Sequence, residues 1–310
     1  MELGVHLPLM EFRDEGQSLG RVTATVDAAR ESGFIAVSAN DHFVFSTPWL
    51  DGPTALASIV DRSGNMTLAT SSALSALRGP VPLAKTLAAL DVLSGGRVVA
   101  GLAPGSSPRD CAAIGVPFEE RWKRFDESVA IIRSLLRGEP PPSHTLFYAI
   151  PDGELAPRLQ RDGGVPVWIG SWGSAAGLRR VARLADGWLA SAYNTTPERF
   201  AAARERLGDE LDKRGRRSDA FPHALVSMWT LITDDPVEAE RVVTDTLAPL
   251  VNRDPGELRE RVCVGAPEPC AELLSEYADA GCRRVHFWPL WDEPRQIERI
   301  ATEVAPLIAS

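Results

Sequence analysis

The chain alternates between apolar positions at helical spacing and short runs in which every position is apolar. Four positions share one helical face: Leu83, Leu87, Leu90 and Ser94. Lys85 and Asp91 fall off that face, and Gly95-Gly96 follows, where glycine ends a helix because it adopts the left-handed conformation at little cost. The next run, residues 98–100, is apolar without polar alternation, as in a parallel strand buried on both faces. Segment 84–105 therefore predicts a helix, a turn, a strand and a glycine loop.

The same rhythm recurs along the whole chain. Strands are predicted over residues 5–9, 34–38, 66–70, 98–100, 165–170, 187–190, 224–232 and 284–288. Helices are predicted near 19–32, 54–61, 83–94, 122–136, 175–184, 197–214, 236–250 and 267–280. Residues 139–164 form a long connection, and the insertion over 234–267 is short and mostly helical. Eight strands alternating with helices predict an α/β fold, a single (β/α)8 barrel domain over residues 1–310 with short insertions.

Three helix starts carry a capping signal. Thr196, Asp235 and Asp254 each precede a proline. A glutamate stands three residues after Asp235 and three after Asp254, which completes a capping-box pattern at both.

An open doubly wound sheet is the competing topology. It would usually show GxGxxG after its first strand, and this sequence has none there.

Composition narrows the classes of partner. The 310 residues include 33 basic and 42 acidic ones, a net charge of −9, with no basic stripe that would suit nucleic acid or an anionic membrane. No apolar run is long enough for a membrane helix and no signal peptide is visible, so we expect a cytoplasmic protein. The four cysteines lack metal or disulfide spacing and are expected to be reduced, buried and inert, and the histidines predict no metal site.

Candidate chemistry follows the strands, because a barrel of this kind places its active site at the carboxyl ends of its strands. Asp41-His42 follows the second strand and is the only adjacent acid and imidazole in the chain. The histidine could bind a ligand or relay a proton. On spacing alone, a turn histidine bonded to backbone groups is the commoner explanation.

Two glycine-containing loops could hold a phosphate. Segment 170–174 joins a strand to a helix and gathers free backbone N–H groups at the positive end of a helix dipole, although a plain turn with an N-cap serine explains it equally well. Segment 101–106 is weaker, because Pro104 contributes no donor. Aromatic side chains near the same end, Phe43, Trp49, Trp172 and Trp288 among them, would suit a flat, partly apolar ligand, although ordinary packing accounts for many of them.

Three ordered motifs carry a family resemblance: ANDHF at 39–43, AKTLAALDVLSGGRVVAGLAPG at 84–105 and PVWIGSWGSAAGLRRVARLADGWLAS at 166–191. On them the chain resembles, over nearly its whole length, the bacterial luciferase-like flavin and deazaflavin oxidoreductases. That resemblance implies a (β/α)8 barrel that binds reduced FMN or coenzyme F420 at its top. Asp-His-Phe, in place of the Glu-His-His of many FMN enzymes, favours the F420 branch.

The resemblance also implies roles for individual residues. Asp41 and His42 match the pair beside the coenzyme ring, and Ser71-Ser72 matches a bulge that in deazaflavin members often contains a non-proline cis peptide. Gly105, Ser106 and the four residues Gly170, Ser171, Trp172 and Gly173 match the phosphate loops, while Phe43, Trp49 and Trp288 are the candidate substrate contacts. Sugar-phosphate dehydrogenases of this branch carry glutamate where Ser106 stands, which argues against a sugar phosphate unless Asp110 reaches the ring.

These implications lead to three functional hypotheses. The first is an F420-dependent oxidoreductase that transfers a hydride to or from a small organic substrate, apolar or aromatic in character, with His42 and Asp41 as catalytic residues. The alternatives are an FMN-dependent monooxygenase that uses reduced flavin and O2, and a non-catalytic flavin-binding partner subunit. The resemblance further implies a homodimer and a separate flavin or F420 reductase.

Overall fold

Parallel strand pairing runs around a closed ring. The computed structural model describes residues 1–13, 16–150, 156–157, 159 and 161–308. Within them the ring consists of β1 (Glu2–His6), β2 (Ala36–Ala39), β3 (Thr67–Thr70), β4 (Val98–Ala103), β5 (Val167–Gly170), β6 (Gly187–Ser191), β7 (His223–Ile232) and β8 (Arg284–Pro289). β8 pairs with both β1 and β7, which closes the ring. The predicted (β/α)8 barrel is confirmed.

Helices follow the strands and cover the outside of the ring. They are α1 (Leu19–Glu31), α2 (Gly52–Ser58), α3 (Ser75–Arg78), α4 (Pro80–Ser94), α5 (Pro108–Ile114), α6 (Arg121–Arg137), α7 (Ala175–Leu184), α8 (Pro197–Asp212), α9 (Pro236–Arg241), α10 (Ala248–Val251), α11 (Pro255–Arg259), α12 (Pro267–Asp279) and α13 (Glu293–Arg299). Two short strands lie beside the ring, Ala73–Leu74 against β4 and Cys263–Gly265 against β7. No helix in the described ranges combines the length and apolar character that crossing a membrane requires.

The first two strands are displaced from their predicted positions. β1 covers Glu2–His6 instead of 5–9, and β2 covers Ala36–Ala39 instead of 34–38. Pro8 has no N–H to donate to a neighbouring strand, so the ladder ends before it. The apolar residues Leu7 and Leu9 are nevertheless fully buried, which explains why the pattern extended the strand too far.

Helix α4 presents the predicted face to the core. Its four stripe residues are buried, and Gly95 and Gly96 after it have φ angles of 69° and 84°, in the left-handed region. Asp91, predicted to lie off the buried face, is itself buried. Its carboxylate accepts hydrogen bonds from the Val98 N–H and the Arg161 guanidinium, so it ties the helix to the start of β4.

The insertion builds a second apolar cluster beside the barrel mouth. Between α9 and α10 it contains a π-helical turn, Val242–Leu247, so the predicted helix over 236–250 is continuous but changes its winding. The cluster joins insertion side chains to three tryptophans of the barrel, Trp229, Trp288 and Trp291. The short helical insertion therefore packs against the end of the barrel where the strands terminate.

The described part of the connection, residues 139–150, 156–157, 159 and 161–164, contains no helix or strand, and the rest lies outside the described residues. The cysteines are free and buried, as predicted.

Candidate active site

A cavity of about 380 Å³ opens at the carboxyl ends of the strands. Residues 40–42, 71–72, 103–106 and 170–172 line it, together with side chains from β6, β7 and the start of α6. These are the loops in which a (β/α)8 barrel carries its chemistry. The structure therefore brings nine of the predicted site residues into one cavity: Asp41, His42, Ser71, Ser72, Gly105, Ser106, Gly170, Ser171 and Trp172. Gly173 lies in the adjoining turn and does not line it.

Asp41 lies at this cavity, but its carboxylate is occupied by protein groups. The side chain is fully buried and forms a two-pronged ion pair with Arg78, at 2.6 Å from Nε to Oδ2 and 2.7 Å from Nη2 to Oδ1. The Leu74 N–H donates a third hydrogen bond to it. Arg78 also pairs with Asp51. Asp41 therefore holds helix α3 against the loop after β2. The sequence had indicated a catalytic role for this residue, because it stands next to His42.

His42 has a different carboxylate partner. Its Nδ1 lies 2.7 Å from Oδ2 of Asp110, on α5, and the other Asp110 oxygen accepts from the backbone N–H groups of Phe43 at 2.9 Å and Val44 at 2.7 Å. Asp110 is fully buried, which by itself would raise the pKa of its carboxyl. The hydrogen bonds from His42 and the two N–H groups outweigh burial and lower that pKa. Asp110 is consequently a carboxylate.

Aromatic rings hold the imidazole of His42 from the side. Phe45 and Trp49 each lie 4.7 Å from it between ring centroids, and Trp49 packs edge-on against Trp288. Trp288 is buried and stacks on His6 at 3.8 Å. Three predicted substrate contacts, Phe43, Trp49 and Trp288, thus lie behind or beside His42 and do not line the cavity. Its aromatic walls are Phe118, Trp122, Trp172 and Tyr193.

Two of those aromatic side chains are exposed to solvent at the opening of the cavity. Trp172, in the turn before α7, is 57% exposed, and Trp122, on α6, is 39% exposed. Trp122 shares a helical face with buried core residues in the sequence, so its place at the rim was not foreseen. Arg121 lies next to it, with its guanidinium 3.7 Å from the Phe118 ring centroid, and it has no carboxylate partner among the described residues. The described rim of the cavity is therefore largely apolar, with the Arg121 guanidinium beside it.

The two predicted phosphate loops have the backbone geometry that close approach requires. Gly105 and Gly173 have φ angles of 88° and 85°, which glycine adopts without strain. The Ser171 hydroxyl accepts from the Gly173 N–H, and Ser174 caps α7 by accepting from the Gly177 N–H. In the described part of the chain, no protein acceptor pairs with the N–H groups of Gly105 and Ser106. The Gly105 loop and the N-terminus of α7 can therefore offer donors to an anion.

Two buried polar atoms at the cavity lack a protein partner. Among the described residues, Asn40 Oδ1 and Ser71 Oγ form no hydrogen bond, although buried polar groups are nearly always paired. The adjacent peptide bond, Ser71-Ser72, is cis. Both atoms belong to residues that line the cavity, which fits a site for a polar molecule.

A break in the strand pattern marks the cavity wall. Ser227, inside β7, has a φ of 58°, and the register between β7 and β8 shifts at this point. Such irregularities aim side chains and are frequent beside active sites. No sequence signal indicated this position. Tyr193, on the same side, stacks on Trp229, and burial raises the pKa of its hydroxyl, so it is un-ionised.

Comparison with known proteins agrees with this architecture. The family model described as luciferase-like monooxygenase matches residues 1–284. An uncharacterized protein of Mycobacterium tuberculosis is 36% identical over 138 residues, covering 44% of this chain, and the chain spans about half of that relative, 46%. An F420-dependent glucose-6-phosphate dehydrogenase of Microbacterium testaceum is 27% identical over 318 residues, covering 90% of each chain.

Solved structures show the same fold. The monooxygenase RslO1 from Streptomyces bottropensis superposes with a TM-score of 0.85 at 20% identity, covering 100% of both chains. The family model covers most of this chain and the resemblance noted from its motifs is confirmed. The chain belongs to the luciferase-like monooxygenase family of oxidoreductases.

Proposed function

We propose that the protein is an oxidoreductase that uses coenzyme F420 and acts on a small apolar or aromatic organic substrate. The observation that carries this proposal is the match to an F420-dependent dehydrogenase across 90% of both chains. When bound, the coenzyme would supply hydride transfer at its ring. Asn40 Oδ1 and Ser71 Oγ would meet the ring edge, and the N–H groups of Gly105 and Ser106 with the α7 N-terminus would hold its phosphate.

The character of the walls supports the substrate class. Leu74, Leu189 and Val226 join the aromatic side chains around the cavity. Asp41, the acidic residue among the described lining, is neutralised by Arg78. The glutamate of sugar-phosphate dehydrogenases is absent at Ser106. Asp110 does not replace it, because its oxygens are already bonded to His42 and two N–H groups. A sugar phosphate is therefore not the substrate we propose.

An FMN-dependent monooxygenase is the second candidate, and the description of the matching family model favours it. Both candidates require the same cavity and differ in the coenzyme and in the use of O2. Substrate-dependent O2 uptake with reduced FMN, and no hydride transfer with F420, would select this second activity. A chain that binds neither coenzyme alone, but does so when mixed with a partner, would favour the partner-subunit hypothesis.

Titration with F420, followed by its fluorescence, tests the first proposal. We expect saturable binding at micromolar coenzyme, weaker after Gly105→Ala by about tenfold, because a side chain at that φ strains the loop. Gly96→Ala is the matched control. Gly96 has a φ of 84° and nothing within 4 Å of its would-be Cβ, but it lies at the opposite face of the barrel. That variant should carry similar strain and bind normally, and equal losses in both variants would contradict the phosphate loop.

A further inference from the structure

Three hydrogen bonds converge on one carboxylate behind the cavity. Asp110 lies in the first turn of α5, whose N-cap, Ser107, accepts from the Asp110 N–H. Its Oδ1 receives the N–H groups of Phe43 and Val44, and its Oδ2 receives Nδ1 of His42. The bonds join the loop after β2 to helix α5, and His42 and Asp110 are 68 residues apart in the chain. One oxygen therefore holds the loop backbone and the other holds the imidazole.

The chemistry of this contact decides which ring nitrogen carries hydrogen. A carboxylate has no hydrogen to donate, so the 2.7 Å contact requires that Nδ1 of His42 be the donor. The lowered pKa of Asp110 agrees with the ionised form. In the neutral imidazole Nε2 then keeps its lone pair. This nitrogen has no protein partner among the described residues and belongs to a side chain that lines the cavity.

We propose that Asp110 is a positioning residue that fixes His42 in its Nδ1–H tautomer and so presents Nε2 as a proton acceptor to a molecule in the cavity. The catalytic consequence rests on the proposed function, whereas the tautomer itself does not. Asp41 cannot take this role, because Arg78 and the Leu74 N–H occupy its carboxylate. Phe45 and Trp49 limit rotation of the ring, so the hydrogen bond and the packing together define one orientation.

Asp110→Asn separates the two roles of this carboxylate. The amide oxygen can still accept from the Phe43 and Val44 N–H groups, so the loop stays anchored. The amide NH2 then faces Nδ1, and a donor there favours the Nε2–H tautomer. A similar replacement in a serine protease triad lowers kcat about 10⁴-fold through the wrong tautomer. We expect a fall in kcat of at least about 100-fold, with coenzyme affinity changed less than about threefold.

The decisive measurement is the tautomer, read from imidazole ¹⁵N chemical shifts in the coenzyme-free protein. The chain has five histidines, and His42→Gln assigns the relevant signals. His6 is an internal reference, because its Nδ1 donates to the Leu7 carbonyl while its Nε2 accepts from the Asn40 N–H. We expect Nδ1–H for both rings in the wild type, and a change to Nε2–H at His42 alone in Asp110→Asn.

Two results would overturn the proposal: Nε2–H at His42 in the wild type, or an unchanged His42 tautomer in a folded Asp110→Asn protein. The wild-type spectrum keeps the test valid if the variant does not fold. Ser107→Ala is the control, since it weakens the cap of α5 and leaves the carboxylate, and it should not change the tautomer. Failure to bind either coenzyme, with the expected tautomers present, would refute the proposed function and leave this role of Asp110 intact.

Discussion

The ion pair between Asp41 and Arg78 is the residue-scale feature with the clearest consequence for stability. The Asp41 side chain is fully buried and the Arg78 side chain is 19% exposed. Removing the cation in Arg78→Met leaves a buried carboxylate with one N–H donor, and breaking a buried pair in this way costs about 3–5 kcal/mol. We therefore expect urea unfolding at pH 7 to show a loss of about 3 kcal/mol.

Arg217→Met is the matched control for this prediction. Arg217 pairs with Asp219, but both side chains are largely exposed, at 79% and 69%. Exposed pairs contribute about 0–1 kcal/mol, so the midpoint should scarcely move. Equal losses for the two variants would mean that the Asp41 carboxylate is solvated after Arg78 is removed.

At the scale of elements, Gly101 of β4 packs closely against β3 and β6. A Cβ built there would lie 1.9 Å from the Thr70 carbonyl oxygen and 2.5 Å from Leu189 Cδ1. Since the obstacle is backbone, Gly101→Ala cannot be relieved by rotating a side chain. We expect a loss of at least about 3 kcal/mol by urea unfolding, the upper range for overpacking.

Gly20→Ala serves as the comparison for Gly101→Ala. Gly20 lies in α1 and its nearest neighbouring atom would be 3.8 Å from the new Cβ. Alanine is the better helix former, so this variant should be at least as stable as the wild type. A Gly101→Ala protein as stable as Gly20→Ala would refute the close packing at β4.

Elements with local signals were predictable from the sequence, and contacts between distant loops were not. Helix α7 has the predicted bounds, and Thr196, Asp235 and Asp254 each cap a helix as their prolines indicated. Glu238, which completes a capping-box pattern, instead accepts from the Thr233 hydroxyl. The partner of His42 is Asp110, 68 residues further along the chain. Such pairs depend on how the ring brings its loops together, which no local pattern records.

At the scale of the whole molecule, two buried histidines make the barrel sensitive to acid. Burial lowers the pKa of His6 to about 3 and that of His286 to about 3, from 6.5 in the unfolded chain. Between these two pH values the unfolded chain binds more protons than the folded one. The free energy of unfolding is therefore highest above about pH 6.5 and falls as the pH drops towards 3. At pH 5 the loss is about 2 kcal/mol per histidine.

Urea unfolding at pH 7 and pH 5 measures this loss, and His286→Phe provides the comparison. That variant removes one of the two groups, so its stability should fall by about half as much between the two pH values. Phenylalanine is a reasonable substitute, because Nδ1 of His286 has no partner in the described part of the structure. Equal losses in the two proteins would show that His286 does not contribute.

Closure of the ring by β8 has a consequence for synthesis in the cell. β1 is synthesised about 280 residues before its partner β8, Arg284–Pro289. Until then β1 and β7 both have an unpaired edge, the kind of surface that invites aggregation. The cavity loops gain their final spacing only when the last strand inserts. A ligand of this cavity would therefore stabilise the closed barrel and not a chain whose β8 is still unpaired.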